Sequence, residues 1–319
     1  MAPLLRKARR RRGVDLIARV AHLEIVAQGP FDLEVEAGRF GGWPRLGDAV
    51  VMAFPVEGWR DSAAVLMRQR GATITGDIYG GHASDAERAW QQAIATVSLD
   101  VDGQGFAEVG RRDPVIGRLQ AEYAHLRPVL FHSPYEAACA FVIGHRISIV
   151  QTRRLRQQMA EQAGATIEVD GTALRAFPDP HALLRIESFP SVAPAKIERL
   201  HQVARAALEG TLDRARLRSL PEMDALAQLR TLPGIGEFFA QGILMRGAGL
   251  VDAVTDDDLT PRAIQLLYAL GERPNRAAVL QRAEAWRPYR MWALVLLNVW
   301  LRSQPPDVKG RRELRRRPK

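Results

Sequence analysis

The sequence predicts an α+β chain: an N-terminal α+β domain on an antiparallel sheet, followed by an all-α domain. Three observations predict it. β-prone runs broken by turn residues fill roughly the first 115 positions. Beyond Pro128, helix start and stop signals follow one another. A glycine turn, Leu232-Pro233-Gly234-Ile235-Gly236, joins two of those helices. The predicted divisions are a basic tail at 1–12, the α+β domain at 13–127, the helical domain at 128–303 and a second basic tail at 304–319.

In chain order, Ala49–Phe54, Ala63–Met67 and Ala72–Tyr79 are rich in β-branched and apolar residues, and Gly41-Gly42 and Gly80-Gly81 supply turns. One helix, about Asp85–Thr96, interrupts them. In the second half, Ser133-Pro134-Tyr135-Glu136 places a capping serine, a proline at the first helical position and a glutamate that can close a capping box. That helix runs to Ile143, and Gly144 interrupts it. Further helices are expected over Ser148–Ala163 and over Lys196–Leu208, the latter stopped by Gly210. Ser219-Leu220-Pro221-Glu222 has the form of a second capping box, opening a helix to Arg230. Thr260-Pro261 opens another helix, and Pro288 a last one through Trp300.

Composition narrows the class. No apolar run reaches about 18 residues, so no membrane span is expected, and no apolar stretch follows the basic start as in a secretory signal. Cys139 is the only cysteine, which excludes an internal disulfide and a cysteine-held zinc or iron–sulfur centre and suits a reducing compartment. The net charge of +9 comes from the ends: residues 1–12 and 309–319 carry +6 each, leaving the body at −3. Such arms suit a polyanion, and a mildly acidic body must grip nucleic acid through a local site.

The glycine turn is the candidate for such a site, the alternative being an ordinary helix–helix turn that contains glycine. Gly234 and Gly236 let the backbone turn tightly, leaving amide N–H groups and the positive end of a helix dipole facing outward, which suits a phosphate and reads no base sequence. Beyond it stand Asp256, Asp257 and Asp258 ahead of Thr260-Pro261; from the residues alone, one of the three caps the helix that starts there.

Three stretches carry a resemblance: Ala206–Leu212; Leu229–Gly236 continuing through Arg246-Gly247 to Asp257-Asp258; and Ala283–Arg290 continuing to Trp300. Together they resemble the helix-hairpin-helix DNA glycosylase superfamily, closest to the bacterial 3-methyladenine DNA glycosylase II branch. The resemblance implies a helix-hairpin-helix glycosylase domain and base-excision repair of double-stranded DNA containing a damaged base. It implies Asp258 as the catalytic acid, with Asp257 the neighbouring-register alternative. A carboxylate there would stabilise the oxocarbenium-like sugar as the N-glycosidic bond breaks, and cationic alkylated purines leave without a strong general acid.

The same resemblance implies that the wedge filling the hole left by the flipped base is His145 or Arg146, and that Phe238 and Trp300 line the base pocket; the residues alone equally allow an exposed pair and helix core. It implies a structural monovalent cation on the main-chain carbonyls of Arg230, Leu232 and Ile235, no required cofactor, a monomer, and a cytoplasmic, nucleoid-associated enzyme. Strand-nicking relatives use a Schiff-base lysine where Phe238 stands, so a monofunctional enzyme is expected. Gly242 and Leu259 replace aromatic residues of the branch, which leaves the lesion range open among alkylated purines, uracil, hypoxanthine and oxidised purines. The alternative is a non-catalytic DNA-binding protein on the same fold.

Overall fold

The computed structural model describes residues 19–39 and 43–305. Both basic arms and the Gly41-Gly42 turn lie outside the described residues.

A five-stranded, wholly antiparallel sheet forms the first layer. Its strands are β1 (Arg19–Val26), β2 (Arg45–Leu46), β3 (Ala49–Pro55), β4 (Ser62–Arg70) and β5 (Thr73–Tyr79), in the order β1-β5-β4-β3-β2. The three predicted strands are β3, β4 and β5; β1, β2 and the helix α1 (Leu33–Arg39) join them. Gly80 and Gly81, both at positive φ, make the turn after β5. The helix α2 (Ala86–Thr96) covers one face, and Gly76 lets it close in, because a Cβ there would stand 2.4 Å from the Trp90 ring.

β3 and β4 read as continuous apolar runs because both of their faces are buried. One face packs on α2 through Val50, Met52 and Val65; the other, through Ala49, Val51 and Leu66, packs on Ile167, Val169 and Leu174. Those last residues belong to a hairpin, β6 (Thr166–Val169) and β7 (Thr172–Arg175), inserted in the helical half. The expectation of an all-α second domain is corrected there: four-residue strands around Asp170-Gly171 give a weak periodic signal, and the hairpin gains its burial from a distant sheet.

Around residues 106–303 the helices are α3 (Phe106–Arg112), α4 (Pro114–Glu122), α5 (Pro134–Gly144), α6 (Ile149–Ala163), α7 (Pro180–Leu184), α8 (Pro194–Leu208), α9 (Arg214–Ser219), α10 (Glu222–Arg230), α11 (Glu237–Ile243), α12 (Leu259–Leu267), α13 (Arg276–Ala283) and α14 (Arg290–Ser303). They build two cores. One is centred on α5, which is buried nearly all round because α6, α8 and α11 enclose it. The other joins α12, α13 and α14 to α3 and α4, with Ile116, Leu119, Trp286 and Leu297 fully buried. Helices on the N-terminal side of residue 127 thus share a core with the C-terminal helices.

Arg127 sits where these parts meet. Its buried guanidinium donates to the carbonyls of Gln28, Pro30, Ser98 and Val101, and its amide donates to Glu36 Oε1. Burial pulls its pKa down to about 10, and the surrounding carbonyls replace the water it gave up.

Two helix starts differ from expectation. Ser219 does not cap α10: its hydroxyl donates back to the Arg216 carbonyl at the end of α9, and Pro221 holds the capping position without a side-chain bond. The last helix opens at Arg290 rather than Pro288, whose preceding peptide bond is cis. At α5, Ser133 accepts the Glu136 amide as predicted, while the Glu136 carboxylate stands 3.5 Å from Arg156.

Candidate DNA-binding and base-release site

The hairpin forms between α10 and α11. Gly234 has φ +84°, a conformation that favours glycine, and Gly236 is the N-cap of α11. Ile235 is buried and anchors the turn, while Pro233, Gly234 and Gly236 are exposed. Arg230 and Glu237 close the base of the turn with an ion pair at 3.2 Å. The side chain of Arg199, from α8, lies against Gly234, where a Cβ would meet its Cδ at 2.8 Å. Of the three carbonyls assigned to a cation, that of Leu232 accepts the Ile235 amide at 3.0 Å. Neutral carbonyl oxygens are hard donors of the kind a monovalent cation takes.

The three consecutive acids separate by role. Asp257 is the cap: its carboxylate accepts the amides of Leu259 and Thr260 at 2.8 Å each, and the hydroxyls of Thr255 and Thr260 at 2.9 and 2.7 Å. Asp256 faces Arg276 at 3.5 Å. Asp258 is exposed and makes no capping bond, although it occupies the N-cap position of α12.

Two contacts position this loop. Buried Gln241 on α11 accepts the Asp256 amide at 3.1 Å and donates to Glu237 Oε1 at 3.1 Å, so the acid loop and the hairpin share one helix. From α14, Asn298 Nδ2 donates to Thr260 Oγ1 at 3.3 Å, and Thr260 in turn donates to Asp257. Trp300 lies two residues beyond Asn298, half-buried against the core of α12 to α14. Farther back, Asp252 is held by Arg287 and Arg290.

The predicted wedge segment joins from the other side. His145 ends α5, and Arg146 follows with φ +62°, an uncommon conformation for a residue other than glycine, and is exposed. His145 packs edge-on against Phe239 at 5.9 Å, and Phe239 packs against Phe141 at 5.2 Å. Lys196 Nζ, from α8, donates to the carbonyls of Ile143 and His145 at 2.7 and 2.9 Å, fixing the break in the chain. Burial, helped by the charge of Arg199, lowers the Lys196 pKa.

Phe238 is 53% exposed, so it is not a core residue of α11; it lies 6.1 Å from Phe239. The space above Gly242 is taken by the Phe141 ring, 2.3 Å from where a Cβ would stand. An aromatic from α5 thus packs on the position where the sequence lacks one. Reading by sequence missed Phe141, Lys196, Gln241, Arg276 and Asn298. Their bonding partners lie on other segments or a helical turn away, and only the polar Gln241 and Asn298 within apolar stretches gave any signal.

No protein-family model matches the chain. It is similar to the DNA-3-methyladenine glycosylase of Bacillus subtilis, 26% identical over 204 residues, which cover 62% of this chain and 67% of that one. It is also similar to DNA-3-methyladenine glycosylase 2 of Escherichia coli, 28% identical over 194 residues, covering 58% and 63%. Among solved structures it is similar to the 3-methyladenine DNA-glycosylase from Archaeoglobus fulgidus, with a TM-score of 0.71 and 19% identity, covering 87% of this chain and 97% of that one. A Clostridium acetobutylicum 8-oxoguanine glycosylase/lyase, solved with DNA containing cytosine opposite 8-oxoG, gives a TM-score of 0.61 at 17% identity, covering 88% and 97%. At these identities the structures show a shared fold, spanning both the sheet and the helical half.

Proposed function

We propose, on the premise that the chain belongs to the helix-hairpin-helix DNA glycosylase superfamily, that it is a monofunctional glycosylase releasing alkylated purines of the 3-methyladenine type from double-stranded DNA. The observation that carries the catalytic assignment is the placement of Asp258: it is exposed at the start of α12, beside the capping Asp257, on the loop that Gln241 ties to the hairpin helix.

In this reading the exposed hairpin amides around Gly234 and Gly236 hold a backbone phosphate beside the lesion. Carbonyls of Arg230, Leu232 and Ile235 would hold a monovalent cation, which would add positive charge beneath that phosphate. His145 or Arg146 enters the stack as the base leaves it, and Phe238 and Trp300 face the extruded base. The Asp258 carboxylate stabilises positive charge developing on the deoxyribose, orients the attacking water toward C1′ and takes the proton that water sheds; the neutral purine leaves with the bonding electrons. Phe238 offers no amine for a Schiff base, which supports base release without strand cleavage.

A base-release assay tests this over duplexes carrying 3-methyladenine, 7-methylguanine, hypoxanthine, uracil and 8-oxoguanine. Release of the alkylated purines, with strand breaks appearing only after alkali, is the expected result. Asp258→Asn should lower release by about a hundredfold or more while changing duplex affinity by less than about threefold. Full activity in that variant, or no release from any duplex by the wild type, would overturn the assignment.

A further inference from the structure

Gln241 takes no part in the chemistry proposed above, yet its side chain bonds both Glu237 on the hairpin helix and the main chain of the acid loop. It is 6% exposed, and both ends of its amide are used. Its Nε2 donates to Glu237, which is itself paired with Arg230 across the foot of the hairpin. Its Oε1 accepts the main-chain amide of Asp256, two residues before the acid. A continuous polar path therefore runs from Arg230 through Glu237 and Gln241 into the backbone that carries Asp258.

We propose that Gln241 is a positioning residue that sets the catalytic carboxylate at a fixed distance from the phosphate held by the hairpin. The inference rests on the glycosylase reading above and adds a residue to it. Base release needs the carboxylate placed under one sugar, and the hairpin grips the backbone near that sugar. An error of about 1 Å in such a spacing costs up to about a hundredfold in rate without weakening the grip. A side-chain amide suits the task because it fixes a main-chain N–H by direction as well as distance, whereas apolar packing would hold only the volume. The other supports of the loop, Arg276 on Asp256 and Asn298 on Thr260, bind it to α13 and α14, neither of which belongs to the hairpin.

The test is single-turnover release of 7-methylguanine from a duplex, measured beside duplex affinity. Gln241→Met keeps the volume and removes both hydrogen bonds. It should slow release by about tenfold to a hundredfold and change affinity by less than about threefold. A second variant reverses the polarity of the path: Glu237→Gln with Gln241→Glu restores a donor facing an acceptor and keeps an oxygen for the Asp256 amide. It should recover release to within about threefold of wild type. Equal release by Gln241→Met and wild type overturns the proposal, as does a double variant as slow as the single one. Should Gln241→Met fail to fold, the double variant decides alone. Absence of release by the wild type would instead remove the glycosylase reading itself, so the two failures are distinct.

Discussion

Asp257 and Asp258 are the same side chain one position apart, and their surroundings give them opposite duties. Asp257 accepts four hydrogen bonds that hold the first turn of α12. Removing them leaves amides and hydroxyls without a partner, so Asp257→Ala should cost about 2 kcal/mol in chemical denaturation. Asp258→Ala, an exposed position with no capping bond, should cost about 0.5 kcal/mol or less, whatever it does to base release. Equal losses of stability at the two positions would contradict this division. The resemblance to the glycosylase family brought Asp258 forward; the residues alone left open which of three acids caps the helix, because cap geometry depends on backbone angles that composition does not encode.

At the scale of elements, α8 is the part that joins the break after α5 to the hairpin. Lys196 and Arg199 lie one turn apart on it: Lys196 holds the carbonyls that end α5, and Arg199 lies against Gly234. A cation at a helix C-terminus meets both the unpaired carbonyls and the negative end of the dipole. Lys196→Met should therefore cost about 1–3 kcal/mol and speed amide hydrogen exchange over residues 143–147 relative to the rest of the chain. Unchanged exchange there would mean that the break is held by packing, through His145 on Phe239, rather than by the ammonium group. In the sequence, Lys196 reads only as the start of a helix, since its partners lie some fifty residues upstream.

For the whole molecule, the sheet and the helical half meet over buried charge. The loop between β3 and β4 places Trp59 against Tyr135, with its indole N–H donating to the Ala207 carbonyl. Beside it, Glu57 is half-buried as a residue, but its Oε1 is sealed from water and lacks a hydrogen bond. Burial raises its pKa to about 7, against the pull of Arg214 and Arg88 and with the help of Asp213. The unfolded chain releases this proton near the ordinary value of 4.5, whereas the folded chain keeps it until about 7. Folding is therefore penalised increasingly as pH rises between those values, by about 3 kcal/mol above them. Glu57→Gln should match wild type in urea stability near pH 4.5 and exceed it by up to about that amount at pH 8.5. A constant difference across pH would show that the carboxyl ionises in the folded state as it does in water.

The fold was legible wherever local chemistry decides it. Ser133-Pro134, Gly144 and Gly210 punctuate helices by backbone preference alone, and the doubly buried β3 and β4 show as apolar runs. Elements held by distant partners were not legible: β6 and β7 depend on the far face of the sheet, and α3 and α4 on α14. The same physics divides the site. A glycine turn and an acid at a set separation are written in one stretch of chain, so the sequence by itself determined the hairpin, the family likeness and the acidic cluster. Which acid caps, which arginine meets Asp256, and which amide ties loop to hairpin were decided only by tertiary structure. Hydrogen bonds are short and directional, and their partners are chosen by packing rather than by order along the chain.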